Sequence, residues 1–354
     1  MDKLKTKILK GDRISTSEGL RLFTMPLAEL AMLAGERKQR QSDDSVYYNR
    51  NVHLEPTNVC VNHCLFCAYK ARRGESHAWE YSHDDIEALV KEALKKNITE
   101  IHIVGGIHPE WTLDYYIDIL KIIRKHSKRV HIKAYTAEEI RQMCKNAGIS
   151  LHEGIERLKK AGLNSVPGGG AEIFDESVRK TICPDKIDAS GWLEVHRLLH
   201  LAGIPSNATM LYGHIETPEH RIDHLDRLRT LQDETGGFNA FIPLKYKSGN
   251  NKLSYAGETP VAGDMKTYAI SRIFLDNIPH IKAYWPMIGK DIASMSLAFG
   301  VDDMDGTIDD STKIYSLAGS EETHPVMSVE EIKTMARVAG LKAVERNSVY
   351  DIID

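Results

Sequence analysis

Cys60, Cys64 and Cys67 form a C-x3-C-x2-C run inside the segment EPTNVCVNHCLFCAYKARRGE. Three thiolates this close together can each hold one iron corner of a cubane cluster. A [4Fe–4S] cluster ordinarily takes four cysteines. With three, one iron has no protein thiolate and is open to a small molecule, so the spacing points to chemistry. Zinc held by three cysteines and a histidine is the competing reading, with His53, His63 and His77 close by. Zinc ligands usually come as two short pairs, however, and a second pair is missing. Buried spectators are the third reading; it requires three of only five cysteines to cluster by chance. Cys144 and Cys183 stand alone and read as small core residues or free thiols, so no second cluster is expected.

The elements that must position this run alternate along the chain. The first fifty residues read as a helical extension, with helix-spaced leucines over 17–23 and 27–35 and a polar stretch over 36–44. Residues 51–354 read as one domain, because no linker rich in Pro, Gly or Ser divides them. Strands are expected at 52–54, 100–104, 130–135, 163–166, 206–211, 238–242, 280–284 and 302–304. Helices are expected between them, at 84–97, 113–125, 137–146, 151–161, 188–202, 217–235, 265–277 and 288–298, and a last one at 329–339. Ile86, Leu89, Val90 and Leu94 mark one face of the 84–97 helix, and Ser82 with Asp85 supplies its cap. Eight strand–helix units match a (β/α)8 barrel of the TIM type; an open doubly wound sheet is the alternative. In a parallel barrel the loops after the strands share one face. The cysteine run, Gly105-Gly106, Pro167-Gly168-Gly169-Gly170 and Tyr212-Gly213-His214-Ile215-Glu216 would all open onto it.

Composition narrows the function classes. The chain has 354 residues and a formal net charge of −4, which gives no bulk attraction to nucleic acid or anionic membrane. The start, MDKLKTKILKGD, lacks a secretory apolar stretch, and residues 26–35 are too few to span a bilayer. Few cysteines without disulfide spacing fit a reducing cytoplasm.

The C-x3-C-x2-C run, with Phe66 before its last cysteine, resembles the signature of radical S-adenosylmethionine (radical SAM) enzymes. That resemblance implies a complete or partial (β/α) barrel and a [4Fe–4S] cluster on Cys60, Cys64 and Cys67. It also implies S-adenosylmethionine chelated at the open iron, and an electron donor such as flavodoxin or ferredoxin. One electron from the cluster then breaks a sulfonium C–S bond and yields a 5′-deoxyadenosyl radical. Gly105 and Gly106 resemble the stretch whose backbone meets the methionine amine, although Ile107-His108-Pro109 separates them from the acidic Glu110. Tyr212 and Gly213 resemble the segment lying against adenine, and the Phe66 backbone would meet the adenine amine. Glu172 suits a ribose hydroxyl; its plain alternative is a carboxylate at a helix start. For each glycine the plain alternative is a turn.

A narrower resemblance covers almost the whole chain. HLEPTNVCVNHCLFCAYKARRGE, VGGIHPEW, SVPGGGAEIF, LQDETGGFNAFIPL and LAFGVDDMDGTI are similar to the menaquinone-pathway radical enzymes and FO synthase halves, above all to the aminofutalosine synthase branch. The resemblance implies 3-[(1-carboxyvinyl)oxy]benzoate as substrate, S-adenosylmethionine consumed as co-substrate, and addition of the adenosyl radical to the enol ether. Dehypoxanthine futalosine cyclases and FO synthases begin instead by hydrogen abstraction. A substrate with two carboxylates calls for cations or donors at the barrel mouth; Arg72, Arg73, His108, His214 and Lys245 are the candidates. The bland reading of each is a solvated charge or a structural histidine. A zinc- or iron–sulfur-binding protein without catalysis is the non-enzymatic alternative.

Overall fold

The computed structural model describes residues 3–353. Three helices, Lys3–Lys10, Thr16–Leu22 and Leu27–Ser42, precede the first strand. Strand β1 (Ser45–Leu54) pairs in parallel with β2 (Glu100–Ile103), and β2 with β3 (His131–Ala134). A second parallel sheet holds β4 (Ser206–Tyr212), β5 (Phe238–Lys245) and β6 (His280–Ile281). β7 (Asp303–Ile308) returns to the other side of β1. Isolated parallel bridges Lys133–Ser165 and Val166–Ser206 carry the pairing from β3 to β4, and Lys282–Asp303 carries it from β6 to β7. All eight expected wall positions are therefore present. The fourth, at 163–166, is a pair of bridges instead of a ladder, so the wall is two sheets meeting at thin seams.

Local chemistry fixes the helices that clothe the wall. The Ser82 hydroxyl accepts from the Asp85 amide at 3.2 Å while Asp85 accepts from the Ser82 amide at 2.9 Å, starting helix His83–Leu94. Such a box stabilises a helix by about 1 kcal/mol. Gly148 ends one helix at φ +67 and separates it from the next, as its position suggested. Ile86 and Val90 turn toward the wall, where Val52, Leu54, Ile101 and Ile103 are also buried. Strand residues alternate between faces, so the neighbouring Asn51, His53 and His102 point into the lumen.

Around β1 and β6 the boundaries differ from expectation. β1 begins at Ser45, so residues 45–50 belong to the barrel and the helical extension stops at Ser42. The reason is a partner that the sequence pattern did not show: β8 (Lys342–Glu345) pairs with Ser45–Tyr48. β6 is short because Trp285-Pro286 open a helical turn, Trp285–Ile288, which Gly289 at φ +83 divides from helix Lys290–Ser296.

The lumen is charged at its base. Lys133 pairs with Glu100 at 2.8 Å, Lys282 with Asp305 at 2.7 Å, and Asn51 donates to Asp305 at 3.1 Å. Residues 346–350 close the N-terminal opening. Arg346 donates to Asp303 at 2.6 Å, and the Tyr350 ring stacks on His280 at 3.6 Å. Buried ions survive only when paired in this way.

Candidate active site

The cysteine loop leaves β1 at the C-terminal face and is tied down by its backbone. Cys60 N–H donates to Ala71 O at 3.1 Å, Val61 N–H to Ile107 O at 2.9 Å, and Leu65 N–H to Ile182 O at 2.7 Å. Lys70 Nζ caps the carbonyls of Cys64 and Cys67 at 2.7 and 2.8 Å, and the Arg72 guanidinium holds the Cys60 carbonyl. Cys64 is buried, Cys60 and Cys67 are half-buried, and all three are free of disulfides. Burial pushes the Cys60 and Cys64 thiols up, while nearby Lys186 works the other way. Binding iron would deprotonate them.

Gly105 and Gly106 sit against this loop. Gly106 N–H donates to Thr57 O at 2.7 Å. A Cβ on Gly106 would lie 2.2 Å from Val59 O, and one on Gly105 2.8 Å from Thr57 O. Only a bare backbone lets the strand-two loop approach so closely. Buried Glu139 lies beneath; burial pushes its carboxyl up to about 7. On the opposite side, Glu172 adopts a left-handed φ of +47, uncommon for a residue with a side chain. Its carboxylate is ion-paired with Lys186, whose ammonium stands 5.7 Å over the Phe66 ring. Burial opposes the Lys186 charge, yet Glu172 and Cys64 hold its pKa well above the lysine value. Gly213 has φ +90, and a Cβ there would strike the Thr259 side chain.

The other expected residues are engaged by partners within the protein. Lys245 is buried against Asp264 at 2.8 Å, and the Tyr212 hydroxyl donates to the same carboxylate at 3.0 Å. Both side chains therefore point outward, to helix Val261–Phe274, and leave Ile242 and Leu244 facing the lumen by alternation. His108 accepts at Nδ1 from the Glu110 and Trp111 amides, both at 3.1 Å. Its ring proton is thus on Nε2, which donates to Glu80 at 2.6 Å. His214 lies 3.1 Å from Glu216, itself paired with Arg221. Arg73 reaches Glu110 at 2.8 Å and Glu80 at 3.3 Å at the surface. Arg72 clamps the cysteine loop as described.

Sequence reasoning missed Lys186 and Glu55. Lys186 follows Cys183 in an unremarkable CPDKID segment, and only folding places it beside Glu172 and the cysteines. Glu55 directly precedes the cysteine loop, accepts from the Thr312 hydroxyl at 2.6 Å, and is pushed by burial up to about 7.

The donor set suits a cluster better than a single zinc. Zinc held by three cysteines needs a fourth ligand, and no fourth cysteine stands in this run. Nor does a nearby histidine complete such a set. The His53 ring lies tilted beside His102 within the lumen at 4.5 Å, His63 bonds Asp185 at 2.8 Å, and His77 faces Glu75 at 3.5 Å. Three unpaired thiols on one anchored loop match the three-cysteine pattern of a cubane with an open iron.

Comparison with known proteins agrees with this geometry. Residues 54–228 match the radical SAM superfamily and residues 235–354 match the CofH/MqnC C-terminal region. The chain is 42% identical to an aminodeoxyfutalosine synthase of Thermus thermophilus, over 97% of this chain and 93% of the relative. It is 37% identical to a 5-amino-6-(D-ribitylamino)uracil–L-tyrosine 4-hydroxyphenyl transferase of Archaeoglobus fulgidus, over 92% of this chain and 94% of the relative. Among solved structures, methylornithine synthase superposes with a TM-score of 0.77 at 14% identity, over 96% of this chain and 97% of the other, a likeness of fold.

Proposed function

We propose, since this chain belongs to the radical SAM superfamily and is a radical SAM transferase, that it carries out the aminofutalosine synthase reaction. In this reading the 5′-deoxyadenosyl group of S-adenosylmethionine is joined to 3-[(1-carboxyvinyl)oxy]benzoate. The aryl group migrates from oxygen to carbon, the enolpyruvyl carboxyl group is lost, and methionine is released with 6-amino-6-deoxyfutalosine. The product would feed menaquinone biosynthesis in the cytoplasm. The observation that carries the reading is the 42% identity to an aminodeoxyfutalosine synthase along nearly the whole of both chains.

A [4Fe–4S] cluster with S-adenosylmethionine, the cofactors of this superfamily, supplies an adenosyl radical when bound. The residues of this chain would do the rest. Cys60, Cys64 and Cys67 would hold the cluster on a loop that Lys70 and Arg72 brace. Gly105, Gly106, Gly213, the Phe66 backbone and Glu172 would lie along the cofactor; the Tyr212 side chain, turned to Asp264, leaves only its backbone for that role. The lumen, with Ile242 and Leu244 on its wall, would orient the aromatic acid and exclude water and stray hydrogen donors. No helix among the described residues is long and apolar enough to cross a membrane. A flavodoxin or ferredoxin would provide the electron.

Anaerobic incubation of the reconstituted protein with cofactor, reductant and the enol-ether benzoate, followed by mass analysis, tests this. The expected product is a nucleoside–arene adduct. Stoichiometric 5′-deoxyadenosine without adduct would refute it. The Archaeoglobus relative's name gives a second reading, checked by parallel incubation with L-tyrosine and 5-amino-6-(D-ribitylamino)uracil.

A further inference from the structure

His53 on β1 and His102 on β2 are direct partners in the parallel register. Their ring centroids lie 4.5 Å apart, and the Tyr284 ring is 6.1 Å from His53. Both imidazoles point into the lumen, beside the charged base. Every charge of that base is matched: Lys133 with Glu100, Lys282 with Asp305, Arg346 with Asp303. The histidines are different. Both ring nitrogens of His53 and Nε2 of His102 are buried and lack a hydrogen-bond partner among the described residues. Each such atom costs about 1–3 kcal/mol when left unpaired. Asn49, two steps below Asn51 on the same face of β1, likewise has both side-chain polar atoms unpartnered; three imidazole nitrogens side by side above it mark a place for a ligand.

The chemistry of that ligand follows from the pair. Burial holds both imidazoles neutral, His53 down at about 4 and His102 well below the usual histidine range. Each neutral ring carries one N–H, so the pair offers two donors and adds no charge. The adjacent ion pairs cancel one another. Two neighbouring donors suit the two oxygens of a carboxylate. On the proposed reading, the enol ether must lie near the cysteine loop, at the C-terminal end of β1. His53 precedes that loop on the same strand, so the far end of the substrate faces the histidines.

We infer that His53 and His102 receive the ring carboxylate of the aromatic substrate and so set its depth and orientation in the lumen. This assignment rests on the synthase reading. The test is equilibrium calorimetry on anaerobically reconstituted protein with S-adenosylmethionine but no reductant, so that nothing turns over. The two probes are 3-[(1-carboxyvinyl)oxy]benzoate and 2-phenoxyacrylate, which lacks only the ring carboxylate. Wild type should prefer the diacid by at least about tenfold, the scale of one charge-assisted hydrogen bond. His53→Gln and His102→Gln should each shrink that preference severalfold while binding S-adenosylmethionine as wild type does. His53→Asn, checked by iron content and thermal unfolding, covers a Gln variant that fails to fold. Variants that keep the full preference, with a wild type that makes the adduct, overturn the histidine assignment alone. A wild type that makes no adduct from the diacid overturns the synthase reading as well.

Discussion

Lys186 and Glu172 form an ion pair across the segment that follows the fourth wall position, with the lysine ammonium 5.7 Å over the Phe66 ring of the cysteine loop. The lysine side chain is 15% exposed and the glutamate 8%, so neither charge has much water to fall back on. Replacing Lys186 with Met leaves Glu172 buried and uncompensated, which should cost about 3–5 kcal/mol. Adding Glu172→Gln to that variant should restore a large part of the loss. Urea unfolding of the single and double variants measures the coupling. Simple additivity would show that the pair is not the source.

Glu55 should make stability fall as pH rises. Its carboxyl is pushed by burial from 4.5 up to about 7. The folded state therefore binds this proton more tightly than the unfolded chain does. The contribution is fully present below about 4.5 and is lost through about 7, up to about 3 kcal/mol. Glu55→Gln, which keeps an acceptor for Thr312, should match wild type near pH 4.5 and exceed it at pH 8. Buried neutral histidines titrate in the opposite sense in both proteins, so the difference between the two unfolding curves isolates Glu55. A gap independent of pH would contradict the account.

Two glycines separate close packing from backbone freedom. Gly106→Ala would drive a Cβ into Val59 O at 2.2 Å, backbone against backbone. It should destabilise by about 1–3 kcal/mol and lower the iron retained after reconstitution. Gly35 lies within helix Leu27–Ser42 and has no atom within 4 Å of its would-be Cβ. Gly35→Ala should stabilise by about 0.5–1 kcal/mol. Thermal unfolding and iron assay of both variants check the contrast.

Cys64 and Cys183 are both buried and both lie near Lys186, which opposes the burial of each thiol. Only Cys64 belongs to the C-x3-C-x2-C run. Cys64→Ala should abolish the cluster's visible absorbance and all turnover, whereas Cys183→Ala should retain both. Iron loss in the Cys183 variant would mean that the spacing misidentified the ligands.

Much of the frame could be read in advance because its signals are local. Ser82 and Asp85 cap a helix that their own side chains define, and Gly148 stops another by adopting a left-handed φ. Alternating elements placed the cysteine, glycine and Glu172 loops on one face. What stayed hidden depends on distant contacts. β1 is longer than its apolar core suggested because Ser45–Tyr48 pair with a strand nearly three hundred residues later. Arg72, His108 and Lys245 read as candidates for the substrate carboxylates, and each is engaged by a partner that only the fold supplies. Lys186 carries no motif at all. The unpartnered imidazoles of His53 and His102 emerge only when every neighbour has been counted.

Arg346 and Tyr350 complete the interior from a segment that follows all eight wall positions. During synthesis, a barrel lacking them would leave Asp303 without its guanidinium and His280 without its stacking ring. The chamber therefore gains its floor only when residues 346–350 join a wall whose strands are already made. The wall strands alone do not finish the assembly, and iron delivered to the cysteine loop before residues 346–350 dock would meet a scaffold whose base is still open.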